Sequence, residues 1–495
     1  MASLPLLLAL LTAAPPLTTL SEQSGWRRTG RYDEVLRLCD AFPQAYPGKA
    51  RCERFGVTPE GRPMVALVVS SDGVLEPKAA QAKGRPVVLF QGGIHAGEID
   101  GKDAGFWLLR DVLDGKALPG VLGKVTAVFV PVFNIDGHER FGPNNRPNQR
   151  GPEQMGFRTT AQGFNLNRDY VKAEAPEMAA MLGLLGRWDP LIYVDLHVTD
   201  GAKFRHDVAV MAQPLHSGAP ELRPLALEAS DAVLSELTAQ GHLPLPFYPS
   251  FRKEDDPMSG FAAGVAPPRF SQAYWAARNR IGVLVETHAW FDYPHRVKTT
   301  RNVVQAWLRR AAEDGPALLE AARAADARDR RAGATEVVLA IDTTEKSRPI
   351  PFQGFAYVVE PSEISGTTWT RYDETRPELW TLPLFDELKV TLTGRSPAGG
   401  YVVPAAHAAW VGQKLKLHGF EFEVLEKDRP AAEVEAFRAT EVKPARARSY
   451  EGRVPLSIQG AWAKEKRDVP RGSLYVPANQ RGRELLVHLL DPVSP

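Results

Sequence analysis

Apolar segments of two different periods alternate along residues 26–330. Runs rich in valine and leucine, such as residues 85–91 and 191–197, are typical of buried strands. Longer segments between and after them, such as residues 174–188 and 222–239, have the periodicity of helices. Because strands and helices alternate, the pattern predicts an α/β fold in which a mixed or parallel sheet is covered by helices on both faces.

The composition changes near residue 330. Residues 324–334 are charged and rich in alanine, and short β-like runs such as 337–341 and 485–490 follow them. A chain of 495 residues is also too long for one compact core. We therefore predict a catalytic domain at residues 26–330 and a smaller β-rich or α+β domain of unknown role at residues 335–495.

The N-terminus has the features of an export signal. Residues 4–11 form an apolar run that is too short to span a bilayer, and small residues follow it up to Ala14. We predict a signal peptide within residues 1–20, with cleavage after Ala14, and an exported protein that is periplasmic or extracellular. In such a compartment Cys39 and Cys52 could form a disulfide, although either could also be a buried thiol.

The overall composition argues against two classes of partner. The formal net charge is +1, so the chain offers no general electrostatic attraction for nucleic acid or for an anionic membrane. Hydrophobic residues make up 44% and charged residues 24%, as in ordinary globular proteins. We therefore expect no nucleic-acid partner and no membrane span.

Three side chains near the ends of predicted strands could bind a metal ion. The strand at residues 85–91 runs into a glycine-rich turn that carries His95 and Glu98, and a second strand ends in His197. Imidazole nitrogens and carboxylate oxygens are normal zinc ligands, and a catalytic zinc ion takes three protein ligands. Functional sites of open α/β sheets lie at the carboxyl ends of the strands. The sequence therefore predicts one zinc ion on His95, Glu98 and His197. Asp195, on the same face of its strand as His197, either supports that imidazole or faces a loop.

An ordered series of motifs resembles the zinc carboxypeptidase family of carboxypeptidases A and B. The resemblance covers roughly residues 32–298. The motif that contains His95 and Glu98 is closer in sequence to bacterial members of the family than to digestive ones. In chain order the motifs are Gly61-Arg62-Pro63, Gly93-Ile94-His95-Ala96-Gly97-Glu98, Pro131-Val132-Phe133-Asn134-Ile135-Asp136-Gly137, Asn165-Leu166-Asn167-Arg168, Asp195-Leu196-His197 and Leu284-Val285-Glu286. The resemblance implies a mixed eight-stranded sheet flanked by helices, one zinc ion per chain, and a substrate with a free C-terminal carboxylate.

The resemblance also implies a mechanism. Glu286, at the end of a predicted apolar strand, would be the general base toward a zinc-activated water, and partial burial there should raise its pKa. Asn167 and Arg168 would bind the free carboxylate of a peptide or muropeptide, for which the arginine fork is well suited. The chain would then be a metallocarboxypeptidase that hydrolyses the C-terminal amide bond of a peptide.

Two further roles leave alternatives open. An arginine near the scissile carbonyl stabilises the oxyanion in the family, and Arg150 has the best spacing for it, with Arg146 and Arg158 as rivals. A tyrosine closes over the substrate in the family. Tyr274 is the nearest candidate for that role, and Tyr248 is another.

Other features depart from the family or fit another activity. Asn165 stands where family members have a carboxylate that supports a zinc-bound histidine. Arg278 and Arg280 could line a pocket for acidic C-terminal residues or acidic muropeptides, or could be plain surface charges.

The run from His197 to Thr199 also resembles aspartoacylase-like N-acyl amino acid deacylases. A non-catalytic module that binds a peptide terminus is a third hypothesis.

Overall fold

The structure, a computed structural model, describes residues 17–445 and 449–495. The signal peptide predicted at residues 1–20 lies outside the described residues except for its last four. Among the described residues, no helix combines the length and the apolar character that crossing a bilayer requires. The α-helices are α1 (Leu20–Gln23), α2 (Tyr32–Ala45), α3 (Pro77–Ala82), α4 (Asp100–Leu113), α5 (Ile135–His138), α6 (Pro176–Trp188), α7 (Arg223–Ala239), α8 (Ser271–Ala276), α9 (Tyr293–Glu313), α10 (Gly315–Asp329), α11 (Ala408–Leu417) and α12 (Arg483–Leu490).

The strands fall into a first group before α10 and a second group after it. The first group is β1 (Ala50–Val57), β2 (Pro63–Val69), β3 (Val87–Gly92), β4 (Thr126–Val130), β5 (Ile192–Val198), β6 (Val208–Gln213), β7 (Pro244–Leu245), β8 (Phe261–Ala262) and β9 (Ile281–Thr287). The second group is β10 (Thr335–Thr343), β11 (Arg348–Pro361), β12 (Thr368–Phe385), β13 (Leu388–Ser396), β14 (Gly400–Val403), β15 (Glu423–Val424), β16 (Arg429–Pro444), β17 (Leu456–Val469) and β18 (Leu474–Pro477).

Eight strands of the first group form the central sheet, in the order β1-β2-β4-β3-β5-β9-β6-β7. The middle strands β4, β3, β5 and β9 are parallel, and antiparallel pairings add β2 on one side and β6 on the other. These middle strands are buried along their whole length, which is why their sequences are continuous apolar runs. The predicted α/β fold, with an eight-stranded mixed sheet flanked by helices, is confirmed.

Two of the sequence motifs meet beside this sheet. Arg62 Nη1 lies 2.6 Å from Asp136 Oδ1, and Thr58 donates a hydrogen bond of 2.8 Å to the same buried carboxylate. Asn134 begins α5, where its side-chain oxygen accepts from the backbone N–H of Gly137. These motifs therefore hold the loop after β4 against the hairpin of β1 and β2, and their role is structural.

A disulfide joins Cys39 of α2 to Cys52 of β1. It fastens the helix to an edge strand of the central sheet, and Cys39 is fully buried. Closing a loop of this length stabilises a fold by roughly 3 kcal/mol, because the unfolded chain loses conformational freedom.

The region after residue 335 is β-rich, as predicted, and it packs against the first part of the chain. Leu415 of α11, Leu474 of β18 and Leu485 of α12 belong to the same hydrophobic core as the central sheet. In addition, β12 pairs in parallel with β8, and its Trp380 shares a second, smaller core with Phe261. The domain boundary at residues 330–335 stays a prediction.

The β-like run at residues 485–490 is a helix, α12, so that prediction was wrong. A short apolar run cannot by itself distinguish a buried strand from a buried helix. The helix begins after Gly482, which has a left-handed backbone, and the Asp329 carboxylate accepts from the N–H groups of Gly482 and Arg483. This cap comes from a residue 153 positions earlier, so the local sequence does not show it.

Glu484, in the first turn of α12, should make the protein less stable at alkaline pH. Burial, with the Asp329 carboxylate as a smaller contribution, raises the pKa of Glu484 from 4.5 to about 7. Because the folded-state pKa lies above the unfolded one, the contribution of Glu484 to stability is fully present below pH 4.5 and is lost as the pH rises through 7. At pH 8 we expect the free energy of unfolding of Glu484→Gln, measured by urea titration, to exceed that of the wild type by roughly 1–3 kcal/mol. At pH 4.5 the two proteins should have similar free energies of unfolding. Equal pH dependence in the two proteins would contradict this, and the exposed Glu433→Gln serves as the control.

Candidate metal centre and active site

The carboxyl ends of β3, β5 and β9 bring four of the predicted site residues to one edge of the sheet. His95 and Glu98 lie in the turn between β3 and α4, and His197 is the last but one residue of β5. Glu286 occupies the same place in β9, where it is the register partner of His197. The parallel order of the strands therefore places these groups together, as the sequence predicts for strand ends.

Glycines shape the turn that carries two of these residues. Gly93 has φ +62°, a left-handed backbone that reverses the chain after β3. At Gly97 a Cβ atom would lie 2.7 Å from the carbonyl oxygen of Gly156 and 2.8 Å from Cγ of Arg146. A larger residue would therefore push Arg146 away from Glu98, so this glycine keeps the arginine close to the cluster.

His95, Glu98 and His197 converge on one point. Nδ1 of His95 lies 3.1 Å from Glu98 Oε1, and Nδ1 of His197 lies 2.9 Å from Glu98 Oε2. All three side chains are buried, and the centroids of the two imidazole rings are 4.8 Å apart. One ligand atom from each residue lies within 4.8 Å of the other two.

The outward-facing nitrogen of each imidazole is held by another side chain. Nε2 of His197 lies 2.9 Å from Asp195 Oδ2, so of the two possibilities for Asp195 the structure shows support of the imidazole. Nε2 of His95 lies 3.2 Å from Asn165 Oδ1, and the amide nitrogen of Asn165 donates to Glu451 Oε1 at 3.0 Å. Asn165 thus occupies the position of the missing family carboxylate, and a glutamate from the C-terminal region lies behind it.

The two histidines differ in their electrostatic surroundings. Burial lowers the pKa of His95 to about 4, and the opposing effect of Glu98 does not outweigh it. Burial alone would also lower the pKa of His197, but Asp195 and Glu98 together outweigh it and raise that pKa well above its usual value. Burial would raise the pKa of Glu98, but Arg146 and the two imidazoles hold it well below its usual range.

These residues fit a zinc ion. Two imidazole nitrogens and a carboxylate oxygen are a common ligand set of catalytic zinc, and such imidazoles usually donate their other N–H to an oxygen acceptor. Here both Nδ1 atoms face the carboxylate and both Nε2 atoms have an oxygen partner. The three predicted ligands therefore have the chemistry and the placement that zinc requires.

Glu286 lies beside the cluster and is suited to accept a proton. Its side chain is buried and lines a cavity of about 570 Å³ together with His95 and Glu98. Burial raises the pKa of Glu286 to about 8, with Glu98 as a further charge that raises it and His197 as one that lowers it. The predicted rise in pKa is thus present.

The structure places a different arginine at the cluster from the one that spacing favours. Arg150 does not line the cavity: it is half exposed, pairs with Glu374 at 2.7 Å and lies over the ring of Trp290. Arg146 is buried in the cavity wall, and its Nη1 lies 2.8 Å from Glu98 Oε1. Arg158 also lines the cavity, at 3.6 Å from the same oxygen. Between the two rivals of Arg150, Arg146 is nearer and more firmly held.

Asn167 and Arg168, for which carboxylate binding stays a prediction, line the same cavity. They lie in a single helical turn, Leu166–Arg168, and Nη1 of Arg168 donates to the carbonyl oxygen of Asn167 at 2.7 Å. The guanidinium of Arg168 lies over the ring of Phe270, and its Nε donates to the hydroxyl of Tyr450 at 2.8 Å. The guanidinium is thus oriented by a residue of the C-terminal region.

Of the two candidate tyrosines, the structure brings Tyr248 and not Tyr274 to the cavity. Tyr274 is buried in α8, and its hydroxyl is hydrogen-bonded to His418 Nδ1 at 2.9 Å. Tyr248 follows β7, lines the cavity and is 41% exposed, so its ring can reach a bound molecule.

Tyr450 and Glu451 complete the surroundings of Arg168 and Asn165. The sequence near Tyr450 and Glu451 does not indicate these contacts, since each pair of partners is more than 280 residues apart along the chain.

Neither hypothesis for Arg278 and Arg280 fits the structure. Arg280 is buried and pairs with Asp189 and Asp326, each at 2.9 Å. Arg278 is also buried, and it donates to the carbonyl oxygen of His418. Neither residue lines the cavity. Both fasten the segment between α8 and β9 to surrounding elements, and they do not form a basic substrate pocket.

Comparisons with known proteins agree with the motifs. Carboxypeptidase B of Astacus astacus is 24% identical over 146 residues, which cover 29% of this chain and 45% of that protein. A protein named inactive metallocarboxypeptidase ECM14 from Saccharomyces cerevisiae is 27% identical over 135 residues, 25% of this chain and 30% of that protein. The chain thus spans less than half of the length of these curated relatives. The solved structure of carboxypeptidase A from Helicoverpa armigera is 16% identical, with a TM-score of 0.41, over 58% of this chain and 74% of that one.

A family model described as zinc carboxypeptidase matches residues 35–204. The matched stretch contains all three candidate zinc ligands and both carboxylate-binding candidates, and it ends before Glu286. The resemblance of this chain to the zinc carboxypeptidase family is thus confirmed.

Proposed function

We propose that this protein is a zinc-dependent metallocarboxypeptidase that hydrolyses the C-terminal amide bond of a peptide. The observation that carries the proposal is the shared cavity, because His95, Glu98, Glu286 and Arg168 all line one space of about 570 Å³. The third candidate ligand, His197, contacts Glu98 at 2.9 Å. A zinc ion held by His95, Glu98 and His197 supplies Lewis-acid chemistry that lowers the pKa of water and polarises a carbonyl group.

The side chains of the cavity have separate tasks in this proposal. A carboxylate oxygen of Glu286 accepts a proton from the attacking water and passes it to the leaving amine. Arg146 offers guanidinium N–H groups to the oxygen on which negative charge develops. Arg168, with the side-chain amide of Asn167, binds the C-terminal carboxylate of the substrate. Tyr248 covers the bound residue from the open side.

The lining of the cavity is mixed, with Arg158, Asp200 and His216 among its polar residues, and its apolar part supports a preference for uncharged C-terminal residues. Its walls include the apolar side chains of Met211, Leu215, Phe247 and Leu284. Burial of an apolar substrate side chain against them is favourable by about 25 cal/mol per Å² of apolar surface. We propose an apolar C-terminal residue as the preferred one, because Arg278 and Arg280 do not reach the cavity.

Export to the periplasm or the cell exterior is also part of the proposal. The apolar run at residues 4–11 supports it, and so does the disulfide of Cys39 and Cys52, since disulfides persist mainly in oxidising compartments. Sequencing the N-terminus of the protein isolated from whole cells and from the medium of its natural host tests this, and an intact Met1 in all of the protein would contradict it.

The assay that tests the function compares three substrates with the zinc-loaded full chain. We expect hydrolysis of hippuryl-phenylalanine, slower hydrolysis of hippuryl-arginine, and no cleavage of N-acetyl-aspartate. Blocking the C-terminus of the first substrate as an amide should abolish its cleavage, because Arg168 then lacks a carboxylate partner. Cleavage of the acyl amino acid alone would favour a deacylase, and binding without any turnover would favour the non-catalytic module.

A further inference from the structure

Among the described residues, a second group of side chains has the composition of a metal site. Asp207 precedes β6, His242 precedes β7, and His295 lies in the first turn of α9. One ligand atom from each lies within 4.8 Å of the other two. We call these three residues the Asp207 cluster; none of them lines the cavity of the proposed active site.

We propose that the Asp207 cluster binds a second divalent transition-metal ion. Oδ2 of Asp207 lies 2.6 Å from His242 Nδ1 and 2.9 Å from His295 Nε2. Two imidazoles and one carboxylate are a common ligand set for zinc and its neighbours in the first transition row. Their approach to a single oxygen leaves all three atoms facing one point.

The outward-facing polar atoms of Asp207 and His242 have contacts with their surroundings. Oδ1 of Asp207 accepts from the backbone N–H of Leu243 at 2.8 Å, and His242 Nε2 lies 3.0 Å from Nδ2 of Asn302. When Nδ1 of His242 binds a metal ion, Nε2 carries the proton, so the amide of Asn302 must turn its oxygen toward Nε2. Such outer contacts fix the orientation of metal-binding carboxylates and imidazoles. The atoms that face inward are Oδ2 of Asp207, Nδ1 of His242 and Nε2 of His295. They can act as ligands once the two imidazole nitrogens lose their protons.

The Asp207 cluster shares its set of ligand types with the candidate zinc site. There a carboxylate also lies between two imidazole nitrogens, although each nitrogen contacts a different carboxylate oxygen, at 3.1 Å and 2.9 Å, and an outer side chain lies at each opposite nitrogen. In the Asp207 cluster, Asp207 and His242 are buried, whereas the side chain of His295 is 38% exposed. An ion can therefore enter from the side of His295.

A metal ion at this place would join three elements. β7 pairs with β6, and Tyr248 follows β7 by three residues. An ion on Asp207, His242 and His295 would link both strands to the first turn of α9, and so would fasten the segment that carries Tyr248. Its role is structural support for that wall of the cavity.

The proposal is tested by the number of zinc ions bound per chain. The full chain is equilibrated with buffered zinc, and its metal stoichiometry is measured by mass spectrometry. We expect about two zinc ions in the wild type, one in His295→Gln and one in His95→Gln. His206→Gln is the matched control, because His206 contacts the carbonyl of Leu243 and the N–H of Gln353 outside the cluster; it should keep two. If His295→Gln fails to fold, Asp207→Asn takes its place as the test variant, because its side-chain oxygen can still accept from the N–H of Leu243. We expect one zinc ion in Asp207→Asn.

A second measurement uses thermal stability. Zinc should raise the Tm of His95→Gln, which retains only the Asp207 cluster, and should not raise the Tm of the double variant His95→Gln/His295→Gln. A single zinc ion in the wild type that His295→Gln leaves in place would overturn the proposal, and so would equal loss in His206→Gln and His295→Gln. If His95→Gln keeps its zinc and His295→Gln loses all of it, the Asp207 cluster binds zinc and the site of His95 does not. That result supports the present proposal and contradicts the peptidase proposal.

Discussion

Glu286→Gln should reduce kcat by about 10²–10⁴-fold while the zinc content stays unchanged. The variant keeps the size of the side chain and its place at the end of β9, but the amide cannot accept a proton from the attacking water. The side chain of Glu286 is buried, so bulk water does not readily replace the missing base at its position. The measurement is steady-state hydrolysis of hippuryl-phenylalanine together with zinc analysis of the same samples.

Glu177→Gln is the matched control for this variant. Glu177 is also a buried glutamate, and burial raises the pKa of its carboxyl, but it lies in the first turn of α6 and does not line the cavity. A general cost of changing a buried glutamate would lower activity in both variants. Full turnover in Glu286→Gln would exclude Glu286 as the base, and parallel loss of zinc would assign it a role in holding the ligands.

The placement of the candidate zinc ligands could be predicted because the fold places strand ends by topology. In a parallel sheet the residues at or just after the carboxyl ends of β3, β5 and β9 must lie on one side of the sheet, whatever the details of packing. His95, His197 and Glu286 are fixed in this way, with Glu98 in the turn beside them. Their mutual placement depends on strand order, and the ordered motifs of the sequence carry that information.

The residues that spacing failed to place lie in loops or on helices whose direction is set by distant contacts. Arg146 is held by the carbonyl oxygens of Val198 and Thr199, more than 50 positions away, at 3.0 Å and 3.2 Å. Tyr274 lies on a helix, where one face contacts the sheet and another faces His418, and the sequence does not say which side chain takes which side. Tyr450 and Glu451 reach the site from a hairpin beyond β16, and no local pattern marks them.

Arg146→Gln should lower kcat by about 10²–10³-fold, and Arg150→Gln should leave it within about twofold of the wild type. Loss of one donor to a developing oxyanion typically has an effect of the first size, and an exposed ion pair contributes little. The two variants make the same chemical change four positions apart in one loop. They therefore separate the arginine that family spacing favours from the one that the structure places beside Glu98.

Zinc content decides how a loss in Arg146→Gln is explained. Arg146 pairs with Glu98 at 2.8 Å, so its removal could weaken metal binding as well as the transition state. If turnover falls at full zinc occupancy and KM changes little, Arg146 acts on the developing charge, since an interaction made only in the transition state lowers kcat and kcat/KM equally. If added zinc restores turnover, Arg146 instead positions the ligand Glu98. A loss in Arg150→Gln equal to that in Arg146→Gln would contradict the placement of the oxyanion arginine, because Arg150 faces Glu374 and Trp290 outside the cavity.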